Sequence, residues 1–218
     1  MTLAVPTYAV GAIPTYLAFV EEIRDLMDDD GYAREKIDRA LRKAEAHFNR
    51  ELRAPEMEAS KVLTITAETT YLPADFLAMR AIFQEGSPDT PLVSMSPAGL
   101  LATYQGRSGT PAGYSIEGLR LRVAPVGATT LEMVYYQAIP ALTDASVNNW
   151  LLRRHSDLYV AGVMFHLAKR ERDNDGMAMA GQEVQTVIGA INSATQRARW
   201  GAGPLVPAGM SQVRGARA

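Results

Sequence analysis

The 218-residue sequence contains no cysteine, which removes disulfides, thiol nucleophiles, iron–sulfur clusters and cysteine-ligated zinc together. It has no apolar run near the roughly 18 to 20 residues that would span a bilayer. The opening MTLAVPTYAVGAIPTYLAF carries no basic residue ahead of its apolar ones, as a secretory leader would. The expectation is a soluble, non-secreted protein with no membrane partner. Nor is there an excess of one charge: 22 Lys+Arg face 24 Asp+Glu, for a formal net charge of −2. Domains built to grip phosphate backbones usually carry a strong basic excess, so a sequence-specific DNA-binding domain is not expected. What the chain does have is 47% hydrophobic and 21% charged residues, enough apolar surface for a core in one domain or one domain with an insertion.

Apolar spacing predicts helices at both ends of the chain. From Pro14 to Asp28, Tyr16, Leu17, Val20, Ile23, Leu26 and Met27 recur at helical intervals, with Pro14 placed in the first turn. After Asp28-Asp29-Asp30-Gly31, residues 32–53 put Ile37, Leu41, Ala44, Phe48 and Leu52 on one face, and the two helices form a hairpin. The pair Thr143-Asp144 reads as an N-cap leading through Val147, Trp150 and Leu151 to a break at His155-Ser156, where Ser156 caps the next helix. That helix, 157–172, is apolar almost all round and should be central, and a last one runs over 175–199 until Gly201-Ala-Gly203-Pro204.

Between these ends the period changes. Val62 to Thr66 alternates, Ser115 to Val123 reads as two strands about Glu117-Gly118, and Leu131 to Tyr136 is rich in strand formers. Pro73, Pro88, Pro91, Pro97, Pro111 and Pro125 punctuate the region, which predicts short strands in a small, irregular antiparallel sheet with one helix near 96–104. The fold class is therefore α+β. A helical bundle from 14–54 and 143–200 carries an inserted β-rich module, 55–142, and a Gly/Ala/Pro-rich tail, 201–218, has no period of its own.

Sites of chemistry are not evident in the sequence. His47, His155 and His166 form no i, i+4 pair, and each reads as structural. Setting Gly31 at the sixth position of a calcium loop would put Leu26 first and Ile37 last, where oxygen ligands are required, so no such loop exists. Gly201-Ala-Gly203 follows a helix and lacks a third glycine, and no Walker A or G-x-S-x-G motif occurs. The basic residues of the second helix are interleaved with acids, with Glu35 spaced to pair with Arg39 and Asp38 with Arg42. No catalytic residue, cofactor or metal is expected.

Three ordered stretches carry a family likeness. ALRKAEAHFNRELRAPEME contains an AE-x-x-x-N-R-x-L-R segment made by Glu45, Asn49, Arg50, Leu52 and Arg53, and YLPADFLAMRAIF holds an LP-x-DF turn with Pro73, Asp75 and Phe76. The third runs from GTPAGYSIEG through YYQAIPAL to NWLLRRHSDLYVAG, with Tyr114, Tyr135, Tyr136, Pro140, Trp150, Asp157 and Tyr159. Together they resemble the head-to-tail adaptor, or head-completion, proteins of tailed bacteriophages and gene transfer agents. The chain departs at His155-Ser156, where a proline or alanine is common, and nothing beyond Trp200 aligns.

The resemblance implies a structural virion protein without enzymatic activity, assembled in the host cytoplasm and residing at the head–tail interface. Its partners would be the portal protein, downstream tail or stopper proteins, and further copies of itself in a ring, usually dodecameric. Double-stranded DNA would pass through the lumen without sequence-specific binding. In such adaptors the C-terminal segment clasps the portal, which assigns Leu205, Val206, Pro207 and Met210 to apolar grooves and Arg214 and Arg217 to acids. The reading kept beside it is a non-viral protein-binding module with the same bundle and platform.

Overall fold

The computed structural model describes residues 13–200, so the opening segment, residues 1–12, and the tail, residues 201–218, lie outside the described residues. Six helices follow in chain order: α1 (Tyr16–Leu26), α2 (Arg34–Glu51), α3 (Pro97–Tyr104), α4 (Trp150–Arg154), α5 (Ser156–Glu171) and α6 (Asn174–Trp200). Eight strands lie between α2 and α4: β1 (Glu58–Ile65), β2 (Thr69–Tyr71), β3 (Phe76–Gln84), β4 (Ser87–Pro91), β5 (Val93–Ser94), β6 (Gly113–Glu117), β7 (Arg120–Ala124) and β8 (Thr129–Gln137). The mixed α+β class follows directly.

Each helix begins for a local reason. Thr15 caps α1, its hydroxyl accepting the Ala18 N–H at 3.2 Å, so Pro14 stands before the cap rather than in the first turn. Helix α2 buries Ile37, Leu41, Ala44 and Phe48, the expected stripe, and adds Ala40 and the carboxylate of Glu45. Helix α4 starts later than Thr143-Asp144 suggests. The Thr143 hydroxyl instead accepts the Ser146 N–H at 3.0 Å, Asp144 pairs with Arg34, and Asn149 is the cap, accepting the Leu152 N–H at 2.8 Å. Ser156 is the first residue of α5 rather than its cap, which is His155 and makes no side-chain bond.

Helix α5 packs against α1, α2, α4 and α6, so it is the central helix that its apolar surface requires. Its approach to α2 depends on Gly162, where a Cβ would lie 2.5 Å from Cζ of Phe48. The expected ion pairs along α2 do not close. Asp38 accepts the Tyr16 hydroxyl, and Arg34 reaches Asp144.

The β region holds two four-stranded sheets rather than one. One is fully antiparallel, in the order β1-β8-β3-β4; the other, β2-β7-β6-β5, includes a parallel pair between β5 and β6. Nor are all the strands short, since β3 and β8 run nine residues each. The prolines leave them intact because they fall elsewhere. Pro73 precedes β3, Pro97 opens α3, Pro125 follows β7, and Pro88 and Pro91 sit in the exposed edge strand β4. The β6–β7 hairpin turns where expected: Glu117 faces Arg120 across a two-residue loop begun by Gly118 at φ +62°.

Apolar residues gather in two cores. The first joins α1, α2, α4, α5 and α6 and takes in Tyr136, Ile139 and Leu142 from the end of β8 and beyond. The second lies within the β region, with Ile65, Ile82, Leu121, Val123, Leu131, Met133 and Tyr135. Consecutive residues of a strand point to opposite faces, so Tyr135 enters the β core while Tyr136 enters the helical one.

Candidate functional site

The motif residues converge on the segment that leaves β8. Glu45 and Asn49 are one helical turn apart on α2, and Arg53 follows its end on the same side. The Asn49 side-chain oxygen accepts the Ile139 N–H at 2.9 Å, and Glu45 Oε1 accepts the Leu142 N–H at 2.9 Å. The Arg53 guanidinium lies 5.7 Å from the centre of the Tyr136 ring, and its Nη1 donates to the Asn49 carbonyl at 3.1 Å. Two side chains of α2 and one just past its end thus hold positions 136, 139 and 142 of a chain that is returning from the β region.

Asn149 and Tyr159 close this arrangement from the other side. Asn149 Nδ2 donates to the Pro140 carbonyl and to the Tyr159 hydroxyl, each at 2.7 Å, and that hydroxyl donates to Glu45 Oε1 at 3.2 Å. The Tyr159 ring meets Phe19 and Phe48 edge to face at 5.9 and 5.5 Å. Burial raises the Glu45 carboxyl above its ordinary pKa, and the Leu142 N–H and the Tyr159 hydroxyl oppose that rise. Burial, reinforced by Glu45, pushes the Tyr159 hydroxyl well upward.

The LP-x-DF turn grips the same exit point. The Asp75 carbonyl accepts the Ala138 N–H at 2.7 Å, its carboxylate accepts the Tyr135 hydroxyl at 3.2 Å, and Phe76 stacks on Tyr135 at 5.9 Å. The Pro73 carbonyl closes the turn by accepting the Phe76 N–H at 3.1 Å. Leu52 is fully buried, and Trp150 packs half-buried on the helical core. Tyr114 packs on the β core from β6, while Arg50 and Asp157 are exposed and stand apart from this junction.

Sequence reasoning missed two residues of the junction. Asn149 precedes Trp150 as a good N-cap type, a signal that the stronger-looking Thr143-Asp144 pair obscured. Asn192 accepts the Arg53 N–H at 3.1 Å and donates to the Glu51 carbonyl at 3.0 Å, tying α6 to the end of α2. Nothing in its local sequence marks it. The histidines share no hydrogen bond among the described residues: His47 pairs with Glu51 at 2.9 Å, His155 caps α5, and His166 lines a cavity away from Asp144. The six tail residues assigned to portal contacts, Leu205 to Arg217, lie outside the described residues.

No helix among the described residues is long and apolar enough to cross a membrane, and no group of three or more acidic or histidine side chains there is arranged to hold a metal. No curated protein matches the chain significantly. A family model does, over residues 14–208, and it continues past Trp200 into the segment where the motifs alone aligned nothing. That span takes in both cores, the junction between them and the start of the tail, and the chain belongs to the SU10 adaptor protein family, a family of phage structural adaptors.

Proposed function

We propose that this adaptor is a head-to-tail connector: a ring, in the usual case a dodecamer, stacked coaxially beneath the portal protein in the virion. It would extend the DNA channel and present a platform to tail or stopper proteins. The observation that carries this reading is the family match across residues 14–208. The fold supports it physically. A closed ring needs each subunit to offer two different faces in a head-to-tail contact, and these must keep a fixed relation. The Glu45, Asn49 and Arg53 clasp supplies that fixity by fastening the helical core to the returning β8 segment. The bundle and the β region would then act as two domains moving as one body, and the protein would do no chemistry.

Tail residues 201–218 would order on the portal, with Leu205, Val206, Pro207 and Met210 filling apolar grooves and Arg214 and Arg217 meeting acids. The lumen would be of mixed or negative charge, because a dense basic belt would hold DNA through counterion release and resist its passage.

Mixing the full chain with purified portal dodecamers and imaging by negative-stain microscopy tests the reading. A second ring stacked on the portal is expected, and unaltered portals at saturating chain concentration would overturn it. A chain lacking residues 203–218 should keep its circular dichroism and unfolding midpoint yet fail to dock. If it still docks, the tail is not the clasp.

A further inference from the structure

Helices α2 and α5 line a solvent-open cavity of about 230 Å³, and five of its seven lining residues are basic: Lys36, Arg39 and Lys43 from α2, and His166 and Arg170 from α5. No carboxylate lines it. Among the described residues none of these four Lys and Arg side chains forms an ion pair; Lys36 Nζ lies instead 4.7 Å from the centre of the Tyr32 ring. Of the acids close to them in the sequence, Asp38 accepts the Tyr16 hydroxyl, Glu45 the Leu142 N–H and Glu171 the Tyr32 hydroxyl, and Glu35, beside Lys36, does not line the cavity. Cations in the last turn of α5 are ordinary, because they complement the helix dipole. That does not explain three more cations converging from a second helix.

The second observation is the His166 ring. Its Nε2 is buried and has no hydrogen-bond partner. Buried polar atoms without partners are rare and need an explanation. Burial lowers the His166 pKa, and the side chains that act on it, Lys43, His47 and Lys169, all push the same way, with only the Lys43 backbone opposing them.

We propose that this cavity is a binding site for a phosphate-type oxyanion. Donors arriving from two helices suit the several oxygens of a tetrahedral anion better than the two of a planar carboxylate, and charge-assisted bonds of this kind are the stronger class. The volume admits such an anion with water around it, since a water takes about 30 Å³ of liquid. A bound anion neutralises the surrounding cations, and His166, whose Nε2 is sealed from solvent, senses that neutralisation without touching the anion. The source is either free phosphate or the phosphodiester of a nucleic acid, which present the same oxygens.

The test is a proton NMR titration of the full chain with inorganic phosphate, at ionic strength held constant with chloride, following the histidine Cε1–H signals. His166→Gln assigns the resonance. Saturable movement of the His166 signal is expected, with a rise in its pKa, while His155 stays still. In the double variant Arg39→Gln/Lys43→Gln, whose two sites are exposed and whose unfolding midpoint should not change, affinity should drop about tenfold. A second titration with a short DNA duplex identifies the source: movement of the same signal at lower phosphate-equivalent concentration assigns the site to nucleic acid, and its absence assigns it to the free anion. No saturation at tens of millimolar phosphate, or equal movement of all three histidines, overturns the proposal, as does unchanged affinity in the double variant.

Discussion

The carboxylate of Glu45 and the backbone of Leu142 are 97 residues apart in the chain and 2.9 Å apart in space. The same oxygen also receives the Tyr159 hydroxyl, so a single acidic side chain on α2 joins the β8 exit segment to the central helix α5. Its burial is costly for a charge, and its partners make it tolerable.

Removing that carboxylate separates the two contributions. Glu45→Ala leaves a buried N–H and a buried hydroxyl without an acceptor and should destabilise by about 3 kcal/mol. Glu45→Gln keeps an oxygen acceptor and should cost less than half as much. Urea unfolding of both variants checks this, and equal losses would mean that charge, rather than acceptor geometry, is what the site requires.

The pH dependence has two parts of opposite sign. The folded-state pKa of Glu45 is raised above 4.5, so the native state holds a proton that the unfolded chain releases, and stability falls as pH rises from 4.5 to the raised value. His155 is lowered below 6.5 by burial, against the pull of Asp157 and Glu56, so the unfolded state takes the proton first and stability is lost as pH falls below 6.5. His166 acts in the same sense as His155. Relative to Glu45→Gln, the natural protein should lose ground on passing upward from pH 4.5; relative to His155→Gln, it should lose ground on passing downward from pH 6.5. Thermal melts at half-unit pH steps resolve the two slopes.

Much of the helical half could be read from spacing because its cause is local. Ile37, Leu41, Ala44 and Phe48 repeat at helical intervals and are buried together. The β6–β7 hairpin is equally local, since only Gly118 readily adopts the positive φ that its turn needs. The division into two sheets is different. Which strands share a sheet depends on pairings such as β1 with β8, between residues more than 60 positions apart, and no local pattern encodes them. The junction was half legible. Glu45, Asn49 and Arg53 stand out as a motif, yet their partners are mostly backbone groups at 139 and 142, which have no sequence signature.

Asn149 should prove coupled to Glu45. It caps α4 and orients the Tyr159 hydroxyl, so Asn149→Ala should cost about 1 to 2 kcal/mol for the cap alone. Combined with Glu45→Ala, the loss should be smaller than the sum, because both variants strip partners from one hydroxyl. A double-mutant cycle by chemical denaturation measures this, and strict additivity would show the two contacts to be independent.

Gly162 offers the sharpest contest between two known effects. In an exposed helix, Gly→Ala usually stabilises by about 1 kcal/mol through backbone entropy. Here the added methyl would sit 2.5 Å from Phe48 Cζ and 3.1 Å from Ala44 Cβ, in a region where Phe48 is fully buried and cannot swing into solvent. Overpacking of this kind costs about 1 to 3 kcal/mol, so the clash should win and Gly162→Ala should destabilise. Phe48→Leu alone should also destabilise, by opening space at the ring edge. Joined in one chain, the methyl fills what the smaller side chain vacates, and the double variant should be more stable than Phe48→Leu alone. Unfolding midpoints of the three variants decide it: if Gly162→Ala stabilises, α2 and α5 have room to separate, and the close approach at Gly162 does not fix their spacing.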